Sequence, residues 1–179
     1  MQKQLTPKKY IMTKARKLPF GECLINDNWQ EQGMASILVS RQMPSSKLIV
    51  GMYNIDVFCL GLKNTLFKFA INDKEMKDIK MEMGERTGSY SNIDLNDVHN
   101  LIYGSIDYAE ELGFEPHNDF RITEYILDPE NIDNGIDNIT FGKNGKPFYI
   151  AGPNDNVNKI LSVLQMNVGD DNFEYTIPQ

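Results

Sequence analysis

Four residues whose side chains could do chemistry fall close together: Glu110, Glu111, His117 and Asp119. Histidine changes charge nearest neutral pH, and a carboxylate two residues further along an extended chain lies on the same side. Such a pair could act as general acid and base. With the two glutamates it could instead hold a divalent metal that activates water for hydrolysis. A single His-x-Asp is not a motif, however. The structural alternative has His117 neutralise a helix C-terminus and Asp119 cap the next element.

Other metal-ligating residues do not enlarge this set. Cys23 and Cys59 lie 36 positions apart with no short-spaced partner, which is neither a disulfide framework nor a zinc-knuckle spacing. His99 stands about 21 Å from the end of its expected helix at about 1.5 Å per residue. The stretch from Gly113 to His117 extends at most about 14 Å, so the two histidines do not readily meet. No metal is assigned, and no motif names a cofactor. Cys59, between Phe58 and Leu60, reads as a small buried hydrophobe with an inert thiol. A nucleophilic role would need a base that no local spacing supplies.

The element that must position the four candidates is an amphipathic helix ending at Gly113. Val98, Leu101, Ile102, Ser105, Ile106, Ala109 and Leu112 form one stripe at the helical period, with Asn96, Asn100, Tyr103, Asp107 and Glu110 on the water side. Asp94 or Asn96 caps its start, and Asp97 complements the dipole there. Gly113 adopts the left-handed conformation cheaply, Phe114 folds back over Ala109, and Pro116 forbids resumption. Glu110 and Glu111 then sit at the negative end of the helix, with His117 as the nearest cation.

A chain of 179 residues, 41% of them hydrophobic, fits one domain with a core of its own. Net charge is −7, with 18 basic and 25 acidic residues and a pI near 4.8, which excludes a surface built throughout for nucleic acid. The distribution is uneven. Residues 1–17 hold Lys3, Lys8, Lys9, Lys14, Arg16 and Lys17 and no acid, leaving 12 basic against 25 acidic residues, a net −13, for the rest. This basic N-terminal arm could contact a nucleic-acid or protein partner. The alternative is that it lies on the acidic body or is frayed. No secretory signal follows it, and no stretch approaches the roughly 20 apolar residues that cross a bilayer. A soluble protein of the reducing cytoplasm is expected.

From 18 to 179 the chain reads as a single α+β domain. Leu18–Ile25, Ala35–Ser40 and Leu48–Leu60 form an antiparallel meander, with Trp29 in the first connection serving as a lid over the sheet edge or as a contact anchor. Asn72 and Asp73 cap a short helix that presents Met76, Ile79 and Met83 and stops at Gly84. Glu85–Asn92 is a connector. After the long helix, Phe120–Leu127 is ambiguous between helix and strand, and 130–137 is an acidic turn without the acid ladder of a calcium loop. Asn144-Gly145 between Ile139–Phe141 and Pro147–Ile150 signals a β-hairpin. A C-terminal helix carries Val157, Ile160, Leu161 and Leu164, and Phe173–Ile177 forms an edge strand.

Three stretches, CLGLK at 59–63, GFEPHNDF at 113–120 and FGKNGKPFYIAGP at 141–153, resemble a group of uncharacterised bacterial proteins, over most of the chain from about Leu18 onward. The resemblance implies a bacterial intracellular source and no mechanism. Two functional expectations follow from the residues themselves. One is a non-catalytic binding module that contacts its partner through Lys8, Lys9, Lys14, Arg16 and Lys17. The other is a metal-dependent or His/carboxylate hydrolase at the C-terminal end of the long helix.

Overall fold

The computed structural model describes residues 5–129 and 139–178, so the acidic turn expected at 130–137 lies outside the described residues. β1 (Phe20–Asn26), β2 (Met34–Gln42), β3 (Leu48–Asp56) and β4 (Gly61–Ile71) run antiparallel in chain order, and β5 (Tyr90–Asn92) pairs with the far side of β1. The α+β layout and its meander are therefore present, with more strands than the expected three.

Two local readings change. Val57-Phe58-Cys59-Leu60, expected to end a long third strand, is a turn that leads into β4. Asp56 makes it one: its Oδ1 accepts the N–H groups of Phe58 and Cys59, each at 3.0 Å, and Gly61 takes a left-handed φ of 63°. All four turn residues are buried, so their apolarity imitates a strand. Within the connector after the short helix, Tyr90–Asn92 finds open edge groups on β1 and becomes β5.

Alternation along the strands sends Ile37, Val39, Ile49, Tyr53, Ile55 and Leu62 to one face and Leu24, Leu38, Val50 and Ile71 to the other. The first face carries the main core. It is covered by α4 (Leu95–Glu111) through Val98, Leu101, Ile102 and Ile106, by α1 (Pro7–Lys14) through Ile11, and by α5 (Phe120–Thr123) through Ile122. The second face is covered by α3 (Asp73–Thr87) through Met76, Ile79 and Met83. A capping box between Asn72 and Glu75 starts α3. It runs past Gly84 to Gly88, whose φ of 81° with ψ of −140° is a backbone conformation that glycine adopts readily and other residues rarely do.

Both ends of α4 form as its sequence implies. The Asp94 side chain accepts the Asn96 N–H. At the other end, Phe114 N–H donates to Ala109 O and Gly113 N–H to Glu110 O, the paired bonds of a Schellman cap around Gly113 at φ 93°. One position is corrected: Tyr103 does not face water but packs against the core, its ring 5.8 Å from Phe120.

A third cluster, Cys59, Leu60, Leu112, Tyr149 and Leu164, joins the C-terminal α6 (Val157–Val168) to the rest. The Asn144-Gly145 turn forms with both residues at positive φ, but its hairpin is a single bridge, Lys143 to Lys146. Pro147 lacks the N–H that would extend the ladder. Phe148–Ile150 (β6) pairs instead in parallel with Glu174–Thr176 (β7). α2 (Trp29–Gln32) places Trp29 half-buried against the main core, as a lid would lie.

Candidate functional site

At the end of α4 the four candidate residues take separate roles. Glu110 and Glu111 are exposed on the last turn. The helix-end carbonyls of Ala109 and Glu110 are closed by the glycine cap and not by His117. His117 is tied to the sheet edge, its backbone N–H donating to Leu62 O at 3.0 Å. Its Nδ1 accepts the Asp119 N–H at 3.3 Å, and its carbonyl accepts from Phe120. Asp119 stands at the N-cap position of α5, where its carbonyl, and not its carboxylate, accepts the N–H groups of Ile122 and Thr123. No hydrogen bond or ion pair joins the glutamates to His117 among the described residues, and no group of three or more His, Cys, Asp or Glu there could hold a metal.

The basic segment is built differently from a loose arm. Thr6 caps α1 by accepting the Lys9 N–H, and Pro7 suits the first helical position. Ile11 and Ala15 are fully buried in the main core, and Tyr10 meets Phe69 edge-on at 5.3 Å. The boundary at residue 17 thus does not separate an arm from a body. Lys8, Lys9, Lys14 and Lys17 are exposed, whereas Arg16 lies half-buried with its guanidinium 4.7 Å over the Tyr125 ring. Among the described residues the two ion pairs are Lys63–Asp155 and Lys80–Glu22, so the segment is held down by apolar packing and not by the acidic surface.

Beneath this segment lies a polar cluster that sequence reasoning missed. Arg41, in the middle of the sheet and 1% exposed, donates from Nε to Ile126 O at 2.7 Å and from Nη1 to Leu18 O at 2.7 Å and Arg16 O at 3.3 Å. Its guanidinium lies 3.4 Å over Phe20. Burial pulls its pKa down to about 10, with Asp128 acting in the opposite direction. His99, also 1% exposed, accepts the Asp128 N–H on Nε2 at 3.1 Å and sits between Phe20 and Tyr103. Burial lowers its pKa to about 4, so the ring is neutral at physiological pH. The signal available in the sequence was a charge directly after the apolar run Ile37–Ser40, and a histidine one position off the α4 stripe.

No family model matches the chain, and no curated protein or solved structure matches it. Functional assignment therefore stands on geometry alone.

Two further features are less specific. A groove of about 320 Å³ between the second sheet face and α3 is lined by Met52, Leu66 and Met83, with Lys68, Glu82 and Arg86 giving charge of both signs. Cys59 is fully buried, and desolvation pushes its thiol well above the ordinary range, as an inert core cysteine requires. No helix among the described residues is long and apolar enough to cross a membrane.

Proposed function

We propose that the protein is a non-catalytic binding module of the cytoplasm that receives an acidic protein segment on the outer face of α1. The observation that carries this is the exposure of Lys8, Lys9 and Lys14 on a helix anchored by Ile11, and of Lys17 at the end of the turn that follows it, with no ion pair to the chain's own acids among the described residues. Met12, 43% exposed and one turn from Lys8, supplies an apolar contact of the type enriched at protein interfaces. Nucleic acid fits this face less well. Tyr10, the aromatic residue of the segment, is turned inward onto Phe69 and offers no ring for base stacking. The hydrolase alternative has weaker support, because Glu110 and Glu111 project into solvent while His117 is engaged by the Asp119 backbone.

Fluorescence anisotropy with a labelled poly-glutamate peptide and a labelled short DNA duplex tests the reading. The peptide should bind at low salt and weaken as salt rises. The Lys8→Glu, Lys9→Glu, Lys14→Glu triple variant should lose about tenfold or more in affinity, at roughly 0.5 kcal/mol for each exposed pair removed. Tighter binding of the duplex than of the peptide would move the assignment to nucleic acid. Binding of neither at low salt would end it.

A further inference from the structure

Four buried side-chain polar atoms have no hydrogen-bond partner among the described residues: Arg16 Nε, Arg41 Nη2, His99 Nδ1 and the Tyr103 hydroxyl. They are not scattered through the fold. Arg41 Nη1 reaches the Arg16 carbonyl at 3.3 Å, and the Arg41 guanidinium covers the Phe20 ring. The Phe20 ring is 6.5 Å from His99, and His99 is 6.2 Å from Tyr103, one helical turn away on α4. The four residues therefore belong to one contiguous cluster between α4, β2 and the 3-10 turn Ala15–Lys17, with Arg16 joined to it through its carbonyl and its guanidinium over Tyr125.

Their chemistry is also of one kind. A guanidinium nitrogen only donates. Because His99 Nε2 accepts the Asp128 N–H, the proton of the neutral ring sits on Nδ1, which makes that atom a donor as well. A tyrosine hydroxyl donates readily. Buried donors in native proteins are almost always met by an acceptor. Here the unmet groups of two arginines, a histidine and a tyrosine call for the same complement. The remaining N–H groups of Arg41 are committed to the carbonyls of Ile126, Leu18 and Arg16, so its side chain is fixed before any ligand arrives. Arg16 and Tyr103 are half-buried residues, and on their side the cluster approaches the surface.

We infer that this cluster is a binding site for a small oxyanion, a phosphate or carboxylate group, received by the Arg41 and Arg16 guanidiniums with His99 Nδ1–H and the Tyr103 hydroxyl as further donors. Guanidinium is the side chain best matched to such groups. The charged neighbours that tune the site are Asp128, which acts on Arg41 and His99, and Glu124, which acts on Tyr103. Binding here is independent of the α1 lysines.

Isothermal titration of the full chain with inorganic phosphate and, separately, with acetate, at matched ionic strength, tests the site. Wild type is compared with Tyr103→Phe, with Arg16→Lys and with the surface control Lys8→Gln/Lys9→Gln. Saturable binding of at least one anion is expected, weakened about tenfold by Tyr103→Phe, which removes a donor, and by Arg16→Lys, which removes the planar guanidinium and its Nε–H, as for a hydrogen bond to a charged group, and unchanged in the control. In the wild type, the bound anion should also raise the pH at which the His99 ring titrates by NMR, since it favours the imidazolium. No saturable binding of either anion to the folded wild type would overturn the assignment. So would wild-type affinity in both Tyr103→Phe and Arg16→Lys, or a loss confined to the lysine control, which would place the anion on α1.

Discussion

Burial opposes the charge of both His99 and Asp56, and these residues tilt stability with pH in opposite senses. His99 titrates near 4 in the fold against an ordinary 6.5, through burial first, with Arg41 adding to the effect. The folded state then binds fewer protons than the unfolded chain in that window. Its contribution is full above about pH 6.5 and is lost as pH falls toward 4. Asp56 is the reverse: burial raises it from 3.8 to about 6 despite Lys63 and the turn N–H groups, so its contribution is full below about pH 4 and is lost as pH rises through 6. Asp56→Asn keeps the Oδ1 acceptor for Phe58 and Cys59 and removes the charge. Relative to wild type it should therefore gain about 2 kcal/mol between about pH 4.5 and pH 7 in urea unfolding. A difference between the two proteins that is the same at both pH values would show that Asp56 ionises freely. Neither residue could be ranked from sequence, because Asp56 looks like any turn acid and His99 like any polar residue beside a stripe. Glu110, Glu111, His117 and Asp119 stood out only because they were neighbours in the chain.

At the scale of elements, the glycines separate a conformational requirement from a packing one. Gly61 and Gly145 both have positive φ, 63° and 78°. A Cβ on Gly145 would meet nothing within 4 Å, whereas on Gly61 it would lie 2.6 Å from Ala109 Cβ and 2.7 Å from Ser105 O, where α4 crosses the start of β4. Gly145→Ala should cost about 1–2 kcal/mol, the left-handed penalty alone. Gly61→Ala should cost several kcal/mol, because helix and strand must separate as well. Urea midpoints of the two variants decide the matter, and equal losses would mean that the α4–β4 contact yields easily. The same contrast explains which elements were legible. α4 had a stripe, a cap and a glycine stop, all local, and it forms as read. β4 and β5 are strands because of what they pair with, and the buried turn at 57–60 imitates a strand because α4 and the C-terminal layer cover it. Such long-range coverage leaves no local signature in the residues it covers.

For the whole molecule the decisive fact is that the basic segment is both the proposed contact surface and part of the core. Ile11 and Ala15 are fully buried against the sheet and the 3-10 turn Glu124–Ile126, and the Arg16 carbonyl is one of the acceptors that satisfy Arg41. Removing residues 1–17 would uncover the apolar surface under Ile11 and leave a buried guanidinium with one acceptor fewer, two costs of the kind that unfold marginal domains. The truncated chain is thus expected to unfold at clearly lower urea concentration, or to lose a cooperative transition, even in the absence of any partner. Ile11→Ala should reproduce part of that loss, about 2–5 kcal/mol for an isoleucine removed from a packed core. Lys8→Gln/Lys9→Gln on the outer face of the same helix should stay within about 0.5 kcal/mol of wild type. A truncated protein as stable as the full chain would show that α1 merely rests on the sheet. If stability falls as expected, loss of partner binding on truncation says nothing about the lysines, and only substitutions confined to the exposed face of α1 can separate recognition from folding.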